Sequence, residues 1–327
     1  MQQDTTSNGD QAVNDGDRLT RFMIDRAGVR GVHVALGETW QHIRGLMDDA
    51  VAQAPVAVAM LGEATAAAAL FTGHAKIDGR LSIQLRTSGA LRTLFVECTS
   101  AGTLRGIVQL DADAGAKDSA HGRDGELRVG EVPPSLRSLG SDAIMAITIE
   151  NPSVGGRDPV RYQGMVALDA DILGDAFEEY FRQSEQLPTR LLLAGDATRV
   201  AGLMLQKLPG DEGDEDGWTR TGALFETLGA DELLDVPVMD LLNRLFHEDG
   251  VQWLGDKPLA FACSCSTARV ESMLVSLGAE EALAAAAGGD AEVRCEFCGQ
   301  YYRFTEKHIH RLLHDASQQV AAPDRLQ

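Results

Sequence analysis

Four of the five cysteines fall in the last fifth of the 327-residue chain, as a C-x-C pair, Cys263 and Cys265, and a C-x-x-C pair, Cys295 and Cys298. Two local pairs of thiolates supply the four ligands of a closed tetrahedral zinc site with Zn–S bonds of ~2.3 Å. Between them Val270, Met273, Leu274 and Leu277 mark one helical face, Gly278 breaks it, and Ala279 to Ala287 begins a second helix. So little apolar sequence does not make a core that folds alone, and a bound metal ion would supply the missing stability, ~10–16 kcal/mol in zinc-finger peptides. Residues 259–327 are therefore expected to form a small C-terminal zinc-binding domain. An odd, clustered set of cysteines does not resemble the disulfide framework of a secreted scaffold. Cysteines at i and i+2 in an extended chain lie ~6.6 Å apart, at the far edge of what a disulfide tolerates. A bond there would be strained and easily reduced, so a site that releases zinc on oxidation to two local disulfides is chemically reasonable.

The rest of the chain has the composition of a protein with a buried core, at 44% hydrophobic and 24% charged residues. Residues 1–17 lack periodicity and read as a disordered tail. Over residues 18–208, the runs Leu81-Ile83-Leu85, Leu94 to Val96, Leu104 to Leu110, Ile147-Ile149, Leu191 to Leu193 and Val200 to Leu208 predict strands of a largely antiparallel sheet. Glu63 to Phe71 and the stripe Leu173, Phe177, Tyr180, Phe181 and Ser184 predict helices, so the fold class is α+β. Residues 209–258 read as an acidic, helical linker. It opens on the Gly210 to Gly217 stretch and holds one amphipathic helix with Val238, Leu241, Leu242, Leu245 and Phe246 on one face. A solitary helix must dock that face on the α+β domain or on a partner.

The polar start has no apolar leader, which points to the cytoplasm. Pro55 to Phe71, interrupted by Gly62 and Glu63, falls short of a membrane span. A net charge of −20 argues against nucleic acid, membrane surfaces and a zinc-ribbon nucleic-acid binder. Searches for a dinucleotide fingerprint, P-loop, zincin helix or nucleophile elbow find nothing, so no enzyme activity is expected. Glu178 and Glu179, and Glu280 and Glu281, read as solvated helix faces. Cys98 lies in a strand-like run and reads as a buried, inert thiol. His308, His310 and His314 belong on a terminal helix, and Tyr301, Tyr302 and Phe304 pack the small zinc core. The competing class is a thiol-disulfide oxidoreductase using Cys295 and Cys298, which requires a helix beginning at Cys295.

The cysteine pairs, together with Tyr180 to Leu191 (YFRQSEQLPTRL), Arg161 to Leu168 (RYQGMVAL), Arg30-Gly31 and Leu242 to Glu248 (LNRLFHE), resemble the heat shock protein 33 family of redox-regulated chaperones over about Leu19 to Leu313. The resemblance implies an ATP-independent holdase, part of the response to oxidative stress. It would be inactive while Cys263, Cys265, Cys295 and Cys298 are reduced and hold one zinc ion. It also implies Cys263–Cys265 and Cys295–Cys298 disulfides on oxidation, loss of zinc, unfolding of the linker, binding of unfolding client proteins, and a monomer that becomes a homodimer. One departure is Ser266-Thr267-Ala268-Arg269, where the family often carries a Ser-Arg-Glu-Arg-like run.

Overall fold

A computed structural model of the chain describes residues 16–75, 77–111, 135–152, 159–210 and 213–321. The described residues divide into two compact units, one ending at Phe261 and one beginning at Ala262.

The first unit is α+β, with two sheets around a central helix. One sheet has the order β10-β1-β2-β9-β8, from β1 (Arg18–Ile24), β2 (Val29–Leu36), β8 (Thr189–Gly195), β9 (Val200–Lys207) and β10 (Val251–Pro258). The other has the order β11-β5-β4-β3-β6-β7, from β3 (Arg80–Arg86), β4 (Leu91–Thr99), β5 (Thr103–Leu110), β6 (Ile144–Asn151), β7 (Val160–Val166) and the short β11 (Ala260–Phe261). The neighbouring strands pair antiparallel, except that β11 runs parallel to β5. The strands expected between Asp78 and Glu150 and between Leu191 and Leu208 are all present. Their alternation places Leu81, Ile83 and Leu85 in the core.

The expected tail lies outside the described residues as far as residue 15. Asp17 itself is held: its carboxylate accepts hydrogen bonds from the backbone N–H groups of Gly37, Glu38 and Thr39, the free donors at the start of α1 (Glu38–Gly45). Beyond α1 and the single turn α2 (Asp49–Ala52) runs α3 (Pro55–His74), which corrects one expectation. It is a single 20-residue helix that passes unbroken through Gly62 and Glu63, and by length and a mean hydropathy of 1.5 it is able to cross a membrane. Here 78% of that stretch is buried inside the protein. Its Ala, Leu and Phe side chains are apolar all round because both sheets pack on it. Its buried Thr65 and Thr72 hydroxyls donate back to Leu61 O and Ala68 O at 2.6 and 2.7 Å. The predicted stripe becomes α4 (Leu173–Ser184), with Phe177 and Phe181 edge-on to Phe71 at 5.0 Å; Ser184 faces water.

The outer face of the first sheet is covered by α5 (Gly217–Phe225), α6 (Ala230–Asp235) and α7 (Val238–Phe246). Val238, Leu241, Leu242 and Phe246 are buried with Phe22, Ile24, Val29, Leu203 and Leu205 of the strands, while Leu245 is half-buried. Residues 209–258 thus hold more than the expected helix, including the edge strand β10. Gln252, Trp253 and Leu254 are exposed in succession, so β10 shows no alternation to read. Of the acidic stretch, Asp211 and Glu212 lie outside the described residues. Asp214 and Asp216 pair with Arg220, whose guanidinium also grips the buried Asp249 at 2.5 Å.

The second unit contains α8 (Thr267–Leu277), α9 (Ala279–Ala284), the hairpin of β12 (Ala291–Arg294) and β13 (Tyr301–Phe304), and α10 (Glu306–Ala321). Its core is Val270, Leu274, Ala282, Ala286, Ala291, Phe304 and Ile309. Met273 and Leu277, expected on the inward face of α8, are 40% and 49% exposed, because so small a unit covers a narrower stripe.

Candidate metal centre

Cys263 and Cys265 lie on the extended segment leading into α8, where Ser266 accepts the Arg269 N–H as N-cap. The Arg269 guanidinium reaches back to donate to Ser264 Oγ at 2.6 Å, placing a positive charge beside the C-x-C pair in the departing run. Cys295 and Cys298 sit on the turn that joins β12 to β13. Cys295 N–H donates to Gln300 O and Gly299 N–H to Cys295 O, both at 2.8 Å. This turn takes Gly299 to φ 70°, a backbone conformation open to glycine and strained for other residues. The helix that a thioredoxin-like site needs at its first cysteine is replaced by this turn.

The four Sγ atoms lie within 4.8 Å of one another, with Cys263–Cys295 at 3.7 Å and Cys265–Cys298 at 3.4 Å. A tetrahedron of sulfurs around an ion with ~2.3 Å bonds has edges of ~3.8 Å, so the cluster could hold a metal ion without rearrangement. The surroundings act unequally on the thiols: burial raises those of Cys263 and Cys298, the latter to about 12, against the hydrogen bonds they accept. Backbone N–H groups of Cys265 and Gln300 bond to Cys263 and Cys298, and Tyr302 Oη donates to Cys265 Sγ at 3.1 Å. At Cys265 burial opposes ionisation, but the hydrogen bonds from Tyr302 and the neighbouring thiols outweigh it and bring the thiol down to about 7. The bond to Cys265 pushes the Tyr302 hydroxyl up to about 12, which keeps it a donor. Tyr302 was expected as core packing; its role as a donor to sulfur has no signature in composition or spacing. All four cysteines are partly exposed, within reach of small oxidants.

The remaining candidates separate from this cluster. On α10, His308 pairs with Glu271 at 3.1 Å, His310 with Glu306 at 3.7 Å and His314 with Asp315 at 3.7 Å. Phe304 is buried as expected, and Tyr301 is exposed. Cys98 is buried in β4, where loss of hydration pushes its thiol up to about 11, consistent with an inert group. Glu178 departs from the solvated reading: it is half-buried, accepting from Leu191 N–H at 2.7 Å and from Arg190, while Glu179 bonds the exposed Arg182 and Gln183. Two of the sequence motifs meet in space, since the Tyr180 ring lies so close over Gly164 that a Cβ there would collide with it.

A profile of the family described as Hsp33 protein matches residues 17–305. The chain is 40% identical over 316 residues to the 33 kDa chaperonin of Ectopseudomonas mendocina, covering 94% of this chain and 99% of that one. It is 36% identical over 301 residues to the 33 kDa chaperonin of Chromobacterium violaceum, covering 92% and 95%. The crystal structure of the 33 kDa chaperonin (heat shock protein 33 homolog) of Thermotoga maritima superposes with a TM-score of 0.69 at 19% identity, covering 92% of this chain and 99% of that one, and shares its fold.

Proposed function

The chain belongs to the Hsp33 family of chaperones, and from that membership we propose that it is a redox-regulated holdase that binds unfolding proteins without ATP. The observation that carries this reading is the cluster of four partly exposed thiols in a unit whose buried core is only seven residues, three of them alanines. Cys263, Cys265, Cys295 and Cys298 would hold zinc in the reduced protein. A zinc ion bound there would cross-link the segment before α8 to the β12–β13 turn.

Oxidation removes the ligands. Two equivalents of a peroxide-type oxidant convert the four thiolates to a Cys263–Cys265 and a Cys295–Cys298 disulfide, and the cross-link is lost. The second unit then unfolds, because its apolar core alone is too small. The segment 209–258, which leads into it, acts as the redox-sensitive linker and releases its apolar side chains from the first sheet. These bind client proteins and also support a homodimer, whereas the reduced chain is a monomer. The setting is the cytoplasm under oxidative stress, and no catalytic role is assigned.

Zinc content and protection of a thermally unfolding client, read by light scattering, are to be measured before and after peroxide treatment. Zinc release and client protection should rise together. Full protection with zinc retained, or zinc loss without protection, contradicts the reading.

A further inference from the structure

The outer face of the five-stranded sheet beneath α5, α6 and α7 is largely apolar, and a buried imidazole lies on it. His33 lies on β2 between Thr20 of β1 and Leu203 of β9 in the ladders, on the same face as Val29, Phe22 and Ile24. It is 4% exposed, and its Nε2 has no hydrogen-bond partner. Beside it Thr20 Oγ1 is committed to Asp256 Oδ1 at 2.9 Å. An imidazole sealed in this way is tolerated while neutral, and a proton on it would leave a charge buried without a counter-ion.

The charges on the surrounding elements are engaged elsewhere. Asp256 of β10 pairs with Arg18, Glu226 after α5 with Arg190, Glu232 of α6 with Arg244 of α7, and Asp235 with Arg199. Arg220 of α5 is held by Asp249, Asp240 of α7 is exposed, and Lys207 sits at the far end of β9. None of these forms an ion pair with the His33 ring among the described residues.

We propose that His33 is a proton sensor beneath the docked helices, and that its protonation drives α5, α6 and α7 off the sheet independently of the cysteines. Burial holds the ring down to about 4 while the helices are docked, whereas a hydrated histidine titrates near ~6.5. The undocked state therefore binds the extra proton. Docking is at full strength above pH ~6.5 and weakens about tenfold per pH unit below it, until the docked value is reached. Between pH 7.5 and 5.5 the docked-to-undocked ratio falls about tenfold. This inference stands on the docking seen in the first unit and holds whether or not the cysteines respond to oxidants.

Hydrogen exchange on the full-length, reduced, zinc-loaded protein tests it, with each rate referred to the unprotected rate at the same pH. Protection of residues 217–246 should drop about tenfold from pH 7.5 to 5.5 while α3 keeps its protection. His33→Leu should abolish the drop, and His33→Gln serves the same purpose if the leucine variant does not fold. The same drop in a folded His33 variant, or no drop in the wild type, overturns the proposal. A loss shared by α3 also overturns it, because it would report acid unfolding of the whole unit, to which His74 on the inner side would contribute.

Discussion

The five-stranded sheet is covered on both faces, and the two covers are built differently. On the inner face α3 is apolar all round and pressed between two sheets, so removing it would open both. On the outer face α7 is apolar along one stripe, with Met239, Asp240, Asn243 and Arg244 in water, and its neighbours α5 and α6 are short. A buried Leu or Phe there is worth ~1.5–3 kcal/mol, set against ~1–2 kcal/mol of backbone entropy for each residue ordered. One-sided burial on short helices sits close to that balance, and burial from every side does not. The inner cover is thus held from every side, and the outer cover from one, which is the difference the proposed function relies on.

The largest expected effect lies beyond both covers. Under the proposed function Cys295→Ser removes one of four ligands and with it much of a metal affinity on the scale of ~10–16 kcal/mol, so the second unit should unfold. Chelator colorimetry should find the zinc lost, while circular dichroism of the first unit's sheets persists. If zinc is retained in full, the site is drawn incorrectly. Phe71→Ala on the inner cover should cost ~3–5 kcal/mol and shift the denaturation midpoint of the first unit as a whole. A change confined to residues 217–246 would erase the distinction between the covers.

On the outer cover, Leu242→Asp places a charge where the leucine is fully buried, at more than ~2 kcal/mol, and should undock α7 while the inner core stays folded. The reduced, zinc-bound variant should then protect a client in a light-scattering assay. An inactive variant with wild-type exchange in residues 217–246 would put the client-binding surface elsewhere. Arg220→Ala should act in the same direction more weakly, since it strands the buried Asp249 but the arginine itself is part-exposed, read as a smaller loss of exchange protection in residues 217–246. Cys98→Ala should change stability by less than ~1.5 kcal/mol and leave the peroxide response untouched, measured by zinc release. A slowed release would assign that thiol a role its burial argues against.

What the sequence made legible follows the same division. The strands β3 to β6, β8 and β9 and the helix α4 were readable because one face meets protein and the other water or a second layer, which imprints a period on the side chains, whereas β1 and β2 were not among the strands expected. The length of α3 was not, since a helix buried all round has no period, and Gly62 and Glu63 look like interruptions. β10 escaped notice for the opposite reason: an edge strand carrying Trp253 and Leu254 in the open shows no alternation either. The four cysteines were legible as a candidate metal site because that signal lies in residue type and spacing, and the structure brings their sulfurs together. The Tyr302 hydroxyl bond and the Gly299 turn depend on how β12 and β13 bring residues together, and the burial of His33 depends on which elements close over β2.

The central claim is that loss of the cysteine cross-link frees the outer cover and spares the inner one. Hydrogen exchange resolved by segment, on one full-length sample before and after peroxide oxidation with zinc release followed in parallel, tests it most directly. The account predicts that protection of residues 217–246 and 262–321 collapses as zinc leaves, while α3 and β3 to β6 exchange as before. Unchanged protection in residues 217–246 after complete zinc release, or simultaneous loss in α3, would contradict it.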